Sequence, residues 1–289
     1  MQRLFANLSN EVVKTYALVL TASNIPFTIE SAHQKYHIRV DARHRTAACH
    51  AVARYLEENP LPTVEEQRDT GRNTPRTFSA VFIALLLVVI HWCVGSGEVR
   101  RLFVQSFGAD AAKIMAGDLF RCVTALWLHI DIVHLLGNVF GIVIFGTVVA
   151  ARFGWGVGWL FILMAGIGGN WMTAVWYRQG HLSVGASTAV FAAVGLSAAA
   201  MTWTHVKRNK RSWRSWTPLG GGLALLGMLG VAPHSDLAAH LFGFAWGVTT
   251  GLVCGRRLQP ASRPVQWVCA ITAAVVVAGS CYWGWARFA

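Results

Sequence analysis

Three clusters in this chain place chemically capable side chains inside strongly apolar surroundings. The first reads His129-Ile-Asp131-Ile-Val-His134-Leu-Leu-Gly-Asn138. The second is Gly185-Ala186-Ser187-Thr188, and the third is Ala239-His240-Leu-Phe-Gly243-Phe-Ala-Trp-Gly247. Polar and ionisable groups are costly in such surroundings, so each is a candidate for function. His134 and Asn138 are four residues apart and share one helix face. Taken alone, that pair serves equally well as hydrogen-bonding glue between helices. Ser187 opens an apolar run, where serine often bonds only to its own backbone. Gly185 permits a tight backbone approach beside it, and Phe191 follows one turn later. Gly243 and Gly247 form a GxxxG face that admits a second helix closely, with His240 on the same face.

The clusters acquire a meaning when combined. A serine hydroxyl is a weak nucleophile until a neighbouring base takes its proton, and His240 on a closely packed helix can be that base. The oxyanion formed on attack needs donors. The Asn138 amide, a His134 ring N–H and the Ser187 backbone N–H are the available set. Asp236 stands one turn before His240, but no acidic residue clearly orients the imidazole, so the expectation is a Ser–His dyad. There is no HExxH pattern and no CxxC or metal-ligand spacing among cysteines 49, 93, 122, 254, 269 and 281. Cys254, Cys269 and Cys281 lie in or beside apolar segments and read as buried free thiols.

The elements that must carry these clusters are membrane helices. The chain of 289 residues is 54% hydrophobic and only 13% charged, about half the charge of a soluble protein. A bilayer core of about 30 Å needs roughly 20 mostly apolar residues per helix. Candidate spans are 78–95, 130–150, 157–176, 185–203, 217–233, 237–254 and 266–285. The stretch 96–120 mixes Phe103, Phe107, Ile114 and Met115 with polar residues, as a segment lying in the membrane interface would. Upstream, residues 1–58 read as a small soluble α/β domain ordered helix–strand–strand–helix. Val12, Val13, Tyr16, Ala17 and Leu20 have helical spacing, Pro26–Glu30 and Tyr36–Val40 read as strands, and Ala47–Leu56 reads as a second helix. It carries no cofactor motif, and nothing in it names a partner. Residues 59–77, with Pro60, Pro62, Gly71 and Pro75, are a linker. No cleavable signal peptide opens the chain.

A formal charge of +12 raises nucleic acid as a partner, but the basic residues sit in short loops between apolar runs, which points to the bilayer. With the N-terminus inside, the cytoplasmic flanks hold Arg68, Arg72, Arg76, Arg152, Lys207, Arg208, Lys210, Arg211, Arg214, Arg256, Arg257 and Arg263. The opposite side holds half as many: Arg100, Arg101, Lys113, Arg121, Arg178 and Arg287. This favours a cytoplasmic N-terminus and a C-terminus on the outer face. Intramembrane His and Asn also line transport paths, yet the candidate spans hold no Asp or Glu besides Asp131, and no inverted repeat is visible.

The combined pattern resembles the rhomboid intramembrane proteases. The likeness rests on Phe120-Arg121-x-x-Thr124-x-x-x-x-His129-x-x-x-x-His134-x-x-x-Asn138, then Gly185-x-Ser187, then Ala239-His240-x-x-Gly243-x-x-x-Gly247. It covers residues 78–254, in the manner of bacterial members with a small cytosolic N-terminal domain. The resemblance implies an all-α polytopic fold, with a six-helix catalytic core over 78–254. Residues 255–289 add a loop and one further transmembrane helix. It implies hydrolysis of peptide bonds in or near substrates' transmembrane segments, without metal or nucleotide cofactor, in a bacterial inner membrane. Ser187 matches the nucleophile and His240 the base. His134 and Asn138 match the oxyanion-hole side chains, Phe191 an aromatic packed on the histidine, and His129 a structural histidine. The loop near 234–236 and the helix start at 237 would gate substrate entry. Phe120 replaces a common Trp, and Thr188 and Ala192 replace common glycines, narrowing the space beside the nucleophile.

Overall fold

A charged, turn-rich stretch separates a segment with soluble periodicity from one written almost wholly in apolar residues, and the fold divides accordingly. The computed structural model describes residues 2–32, 35–59, 76–208, 213–229, 236–254 and 261–288. It resolves into two compact units, residues 1–73 and 74–289. Most of the linker 59–77 lies outside the described residues, as do residues 234 and 235 of the gating loop and Arg68, Arg72, Lys210, Arg211, Arg256 and Arg257.

The first unit runs β1 (Gln2–Leu8), α1 (Asn10–Ala22), β2 (Phe27–Ala32), β3 (Lys35–Val40) and α2 (Arg45–Glu58). Ser9 caps α1 by accepting from the Val12 N–H at 3.4 Å. Val13, Tyr16 and Leu20 then recur on one face and are buried. β3 is the central strand, antiparallel to both β1 and β2, with Ile38 and Val40 in the core. β1 corrects the expected helix–strand–strand–helix order. Its pairing with β3 slips between Arg3 and Phe5 and again between Phe5 and Leu8. Such irregularities break the period-two alternation by which a strand is recognised.

In the second unit α3 (Arg76–Cys93) leads into α4 (Gly97–Phe107) through a bend of 119°. β4 (Ala109–Asp110), α5 (Ala111–Met115) and α6 (Arg121–Thr124) complete the long first loop. Then come α7 (Ile132–Phe153), α8 (Trp155–Tyr177), β5 (Leu182–Ser183), α9 (Ser187–Arg208), α10 (Thr217–Leu229), α11 (Leu237–Cys254) and α12 (Arg263–Phe288). Among the described residues five helices are long and apolar enough to span a bilayer: α7, α8, α9 (over Ser187–Val206), α11 and α12. The bent α3–α4 pair makes a sixth if counted as one span. α10, expected as a span over 217–233, is described over 13 residues, and residues 230–233 of that expectation lie outside the described residues. The chain is a multi-pass membrane protein.

Two features of this unit position the site. The first loop is organised around Arg121, which is fully buried. Its guanidinium donates to the Gln105 and Gly108 carbonyls at 3.2 and 3.1 Å and to the Asp118 carboxylate at 3.3 Å. Thr124 donates to the Phe107 carbonyl at 2.6 Å. β4 then pairs with β5, tying this loop to the segment that enters α9. α12, by contrast, is almost entirely unburied along its length, so Cys281 is exposed and Cys269 only half-buried. This corrects the expectation of buried thiols there: among the described residues nothing layers over the outer face of this helix. Among the described residues all six cysteines are free, and Cys122 is the buried one.

Candidate active site

Glycine brings the second and third clusters together. A Cβ at Gly243 would strike the Thr188 carbonyl oxygen, and one at Gly247 the Ala192 carbonyl oxygen. At Gly251 a Cβ would fall 2.8 Å from the Leu196 carbonyl oxygen, and from the other helix a Cβ at Gly195 would strike the Phe244 carbonyl. The contacts advance by four residues on both helices, so α9 and α11 run parallel in one register with backbone against backbone. His240, three residues before Gly243, falls at the level where α9 begins. Phe191 packs on it, the ring centroids 4.6 Å apart and the planes at 33°. His240 is buried and Ser187 half-buried. Thr188 turns its methyl toward Gly169 of α8 and Gly243 of α11, so its extra bulk lies in the helix seam.

The first cluster approaches from the other side. Asp131 caps α7 by accepting from the His134 N–H at 2.8 Å. Gly185 has φ +124°, a backbone conformation that disfavours side chains. A Cβ there would lie 2.5 Å from His134 Nε2 and 3.4 Å from Asn138 Nδ2. Both side chains thus face the backbone two residues before Ser187. Asn138 is buried, and its Nδ2 has no hydrogen-bond partner among the described residues, which leaves a desolvated donor available to a ligand. Ser187 is the first residue of α9, where backbone N–H groups have no carbonyl within the helix.

His129 holds the approach to Ser187. Its Nε2 accepts from the Ala186 N–H at 3.4 Å, so the ring is neutral with its proton on Nδ1. Burial, then the neighbouring His134 and His91, push its pKa down to about 3. The Gly185 N–H donates to the Ala125 carbonyl at 2.9 Å, so backbone and imidazole together fix residues 185 and 186.

Three polar residues escaped sequence reasoning. His91 on α3 takes a 2.8 Å contact from Arg100 and lies 6.4 Å, ring to ring, from His129. His181 bonds through Nε2 to Asp236 at 2.8 Å. Asp236 is thereby engaged by His181 and by the Ala239 N–H. Gln266, 3% exposed, reaches across from α12. Its Oε1 accepts from the Gly156 and Val157 N–H groups at 2.8 and 3.0 Å, and its Nε2 donates to the Phe153 carbonyl at 3.0 Å. A buried glutamine in an apolar run was the available signal; His181 sits in a polar loop and gave none.

Residues 116–257 match the Rhomboid domain. The chain is 31% identical over 195 residues to RHOMBOID-like protein 6, mitochondrial, of Arabidopsis thaliana, covering 60% of this chain and 62% of that protein. It is 34% identical over 137 residues to rhomboid protease GluP of Bacillus subtilis, covering 45% and 27%. With rhomboid-like protease 2 of Toxoplasma gondii it shares 26% over 149 residues, covering 50% and 52%. The chain thus spans between 27% and 62% of these relatives' lengths. The match covers just under half of the chain and contains Ser187, His240, His134 and Asn138, so the part of the chain that carries the site is similar to the Rhomboid domain.

Proposed function

We propose that this protein is an intramembrane serine endopeptidase that hydrolyses peptide bonds in or near the transmembrane segments of membrane-protein substrates. The observation that carries the reading is the convergence on the start of α9: the His134 and Asn138 side chains face Gly185, and the glycine seam delivers His240 to the same level. Two of the matched relatives bear the name protease.

In this reading Ser187 Oγ attacks the scissile carbonyl carbon while His240 takes its proton. The Ser–His hydrogen bond this needs is part of the proposal. The resulting oxyanion accepts from Asn138 Nδ2, from His134 and from the Ser187 N–H. Collapse breaks the C–N bond as His240 returns the proton to the leaving amine. Water then attacks the acyl-enzyme, with its proton passing through His240 back to Ser187. Phe191 keeps the imidazole in plane, and Gly243 and Gly247 keep its helix close. The twofold excess of basic residues on one set of loops supports a cytoplasmic N-terminus and an outward C-terminus, in a bacterial inner membrane. Residues 1–58 are a cytosolic domain in that orientation.

The test is cleavage of a single-span substrate in liposomes by purified protein. Wild type should cut, and Ser187→Ala and His240→Ala should not while remaining folded. Equal cleavage by Ser187→Ala would overturn the assignment.

A further inference from the structure

Four residues before His240 and six before Ser187, the chain places a pair of polar side chains that bond to each other. Asp236 caps α11, its Oδ1 accepting from the Ala239 N–H at 3.0 Å, while its backbone carbonyl accepts from the His240 N–H at 3.0 Å. The other carboxylate oxygen, Oδ2, lies 2.8 Å from His181 Nε2. Burial pushes the Asp236 pKa upward, but bonds from His181, Ala239 and Ser183 outweigh it and hold the carboxyl below the usual carboxylate range. It is therefore ionised at neutral pH and only accepts, so the proton in the pair belongs to His181 Nε2.

His181 is itself held from two other directions. Its ring stacks on Tyr177 at the end of α8, the centroids 4.0 Å apart and the planes at 11°. Its carbonyl accepts from the Ala111 N–H of the first loop at 2.9 Å. Both partners are partly shielded, with side chains 21% and 15% exposed, so the bond is less open to competition from water than a surface pair. The segment from His181 runs through β5 to Gly185 and Ser187. The segment from Asp236 is the first turn beneath His240. One hydrogen bond thus joins the two stretches of chain that carry the proposed nucleophile and the proposed base, on the open side of the glycine seam.

We propose that the His181–Asp236 bond is a positioning latch that sets the distance from His240 to Ser187, with His181 and Asp236 acting through α11 and touching no substrate. The inference rests on the serine-protease reading above. The glycine seam fixes the helices from residue 243 onward; the latch fixes the turn before it, where the base stands. A small displacement of that turn leaves the fold and the substrate contacts intact but moves the imidazole from the hydroxyl.

The experiment compares wild type, Ser187→Ala, His181→Phe, His181→Gln, Asp236→Asn and the His181→Phe/Asp236→Asn double variant in liposomes with one transmembrane substrate. His181→Phe keeps the stack on Tyr177 and removes the donor. It should lower kcat about 10- to 100-fold, the cost of a sub-ångström to ångström misplacement of a reacting group, with KM and thermal midpoint unchanged. His181→Gln, which restores an N–H donor, should recover most of the loss. The double variant should be no worse than the more impaired single one, since both remove the same interaction. If His181→Phe unfolds, Asp236→Asn, which keeps the Ala239 cap, carries the kcat comparison. Wild-type kcat in the folded single variants, or strictly additive losses, would overturn the latch and leave the protease reading standing. A wild type as inactive as Ser187→Ala would instead overturn the protease reading and the latch with it.

Discussion

The seam between α9 and α11 and the attachment of α12 solve the same problem by opposite means. In the seam glycines remove the obstacle, and backbone meets backbone along three turns. α12 keeps most of its surface outward, rests Ala273, Val276 and Val277 lightly on the core, and makes its specific polar and aromatic contacts at its two ends. At the start Gln266 supplies the acceptor that the first turn of α8 lacks and the donor for the last turn of α7. At the far end Gly284 packs on Phe107 and Phe120, Trp283 lies 5.7 Å from Phe120 ring to ring, and Arg287 stands 3.6 Å from Asp118. A continuous backbone contact fixes rotation and depth together, which a base and its nucleophile require. Attachment chiefly through the ends holds a helix in place while leaving its outer face free to meet lipid, or another helix.

The contrast predicts where substitutions are tolerated. The largest effect belongs to the seam. Gly247→Leu puts a side chain where the Ala192 carbonyl stands. It should reduce cleavage by more than about 100-fold, with a lowered thermal midpoint by differential scanning fluorimetry. Wild-type cleavage would mean that the seam is not what sets the site.

Asn138→Ala should cost on the order of 10² to 10³ in kcat, as loss of one oxyanion donor does. Its fold should survive, because Nδ2 has no partner to lose. A variant that loses stability in place of rate would reassign Asn138 to packing. Gln266→Leu, which strands two N–H groups and a carbonyl, should destabilise by about 1–3 kcal/mol in urea unfolding with kcat little changed. A large kcat loss at full stability would show that α12 reaches the site.

The smallest effect is a pH dependence on the seam side. His129 has its pKa lowered from 6.5 to about 3, chiefly by burial. The folded protein thus binds this proton less readily than the unfolded chain. Its contribution is complete above about pH 6.5 and is lost as pH falls toward 3. The thermal midpoint of wild type should drop over that window more than that of His129→Gln. Parallel curves would remove His129 from the account.

What could be read before folding was local. The four-residue spacing of His134 and Asn138, the GxxxG face and the opening of α9 at Ser187 are all periodicities within one helix. What was lost crosses between elements. The His181–Asp236 bond joins residues 55 positions apart, with no pattern in either segment to announce it. β1 hid behind two register slips. Gln266 went unremarked at the start of the span 266–285, because its partners, the ends of α7 and α8, exist only once those helices meet at Gly154.

The central claim is that Ser187 is made nucleophilic by His240. A fluorophosphonate probe reacting with purified protein in liposomes, followed by peptide mass spectrometry, tests it without any substrate. The account predicts a single adduct on Ser187, absent from His240→Ala. An adduct on another residue, or equal labelling of Ser187 in His240→Ala, would contradict it.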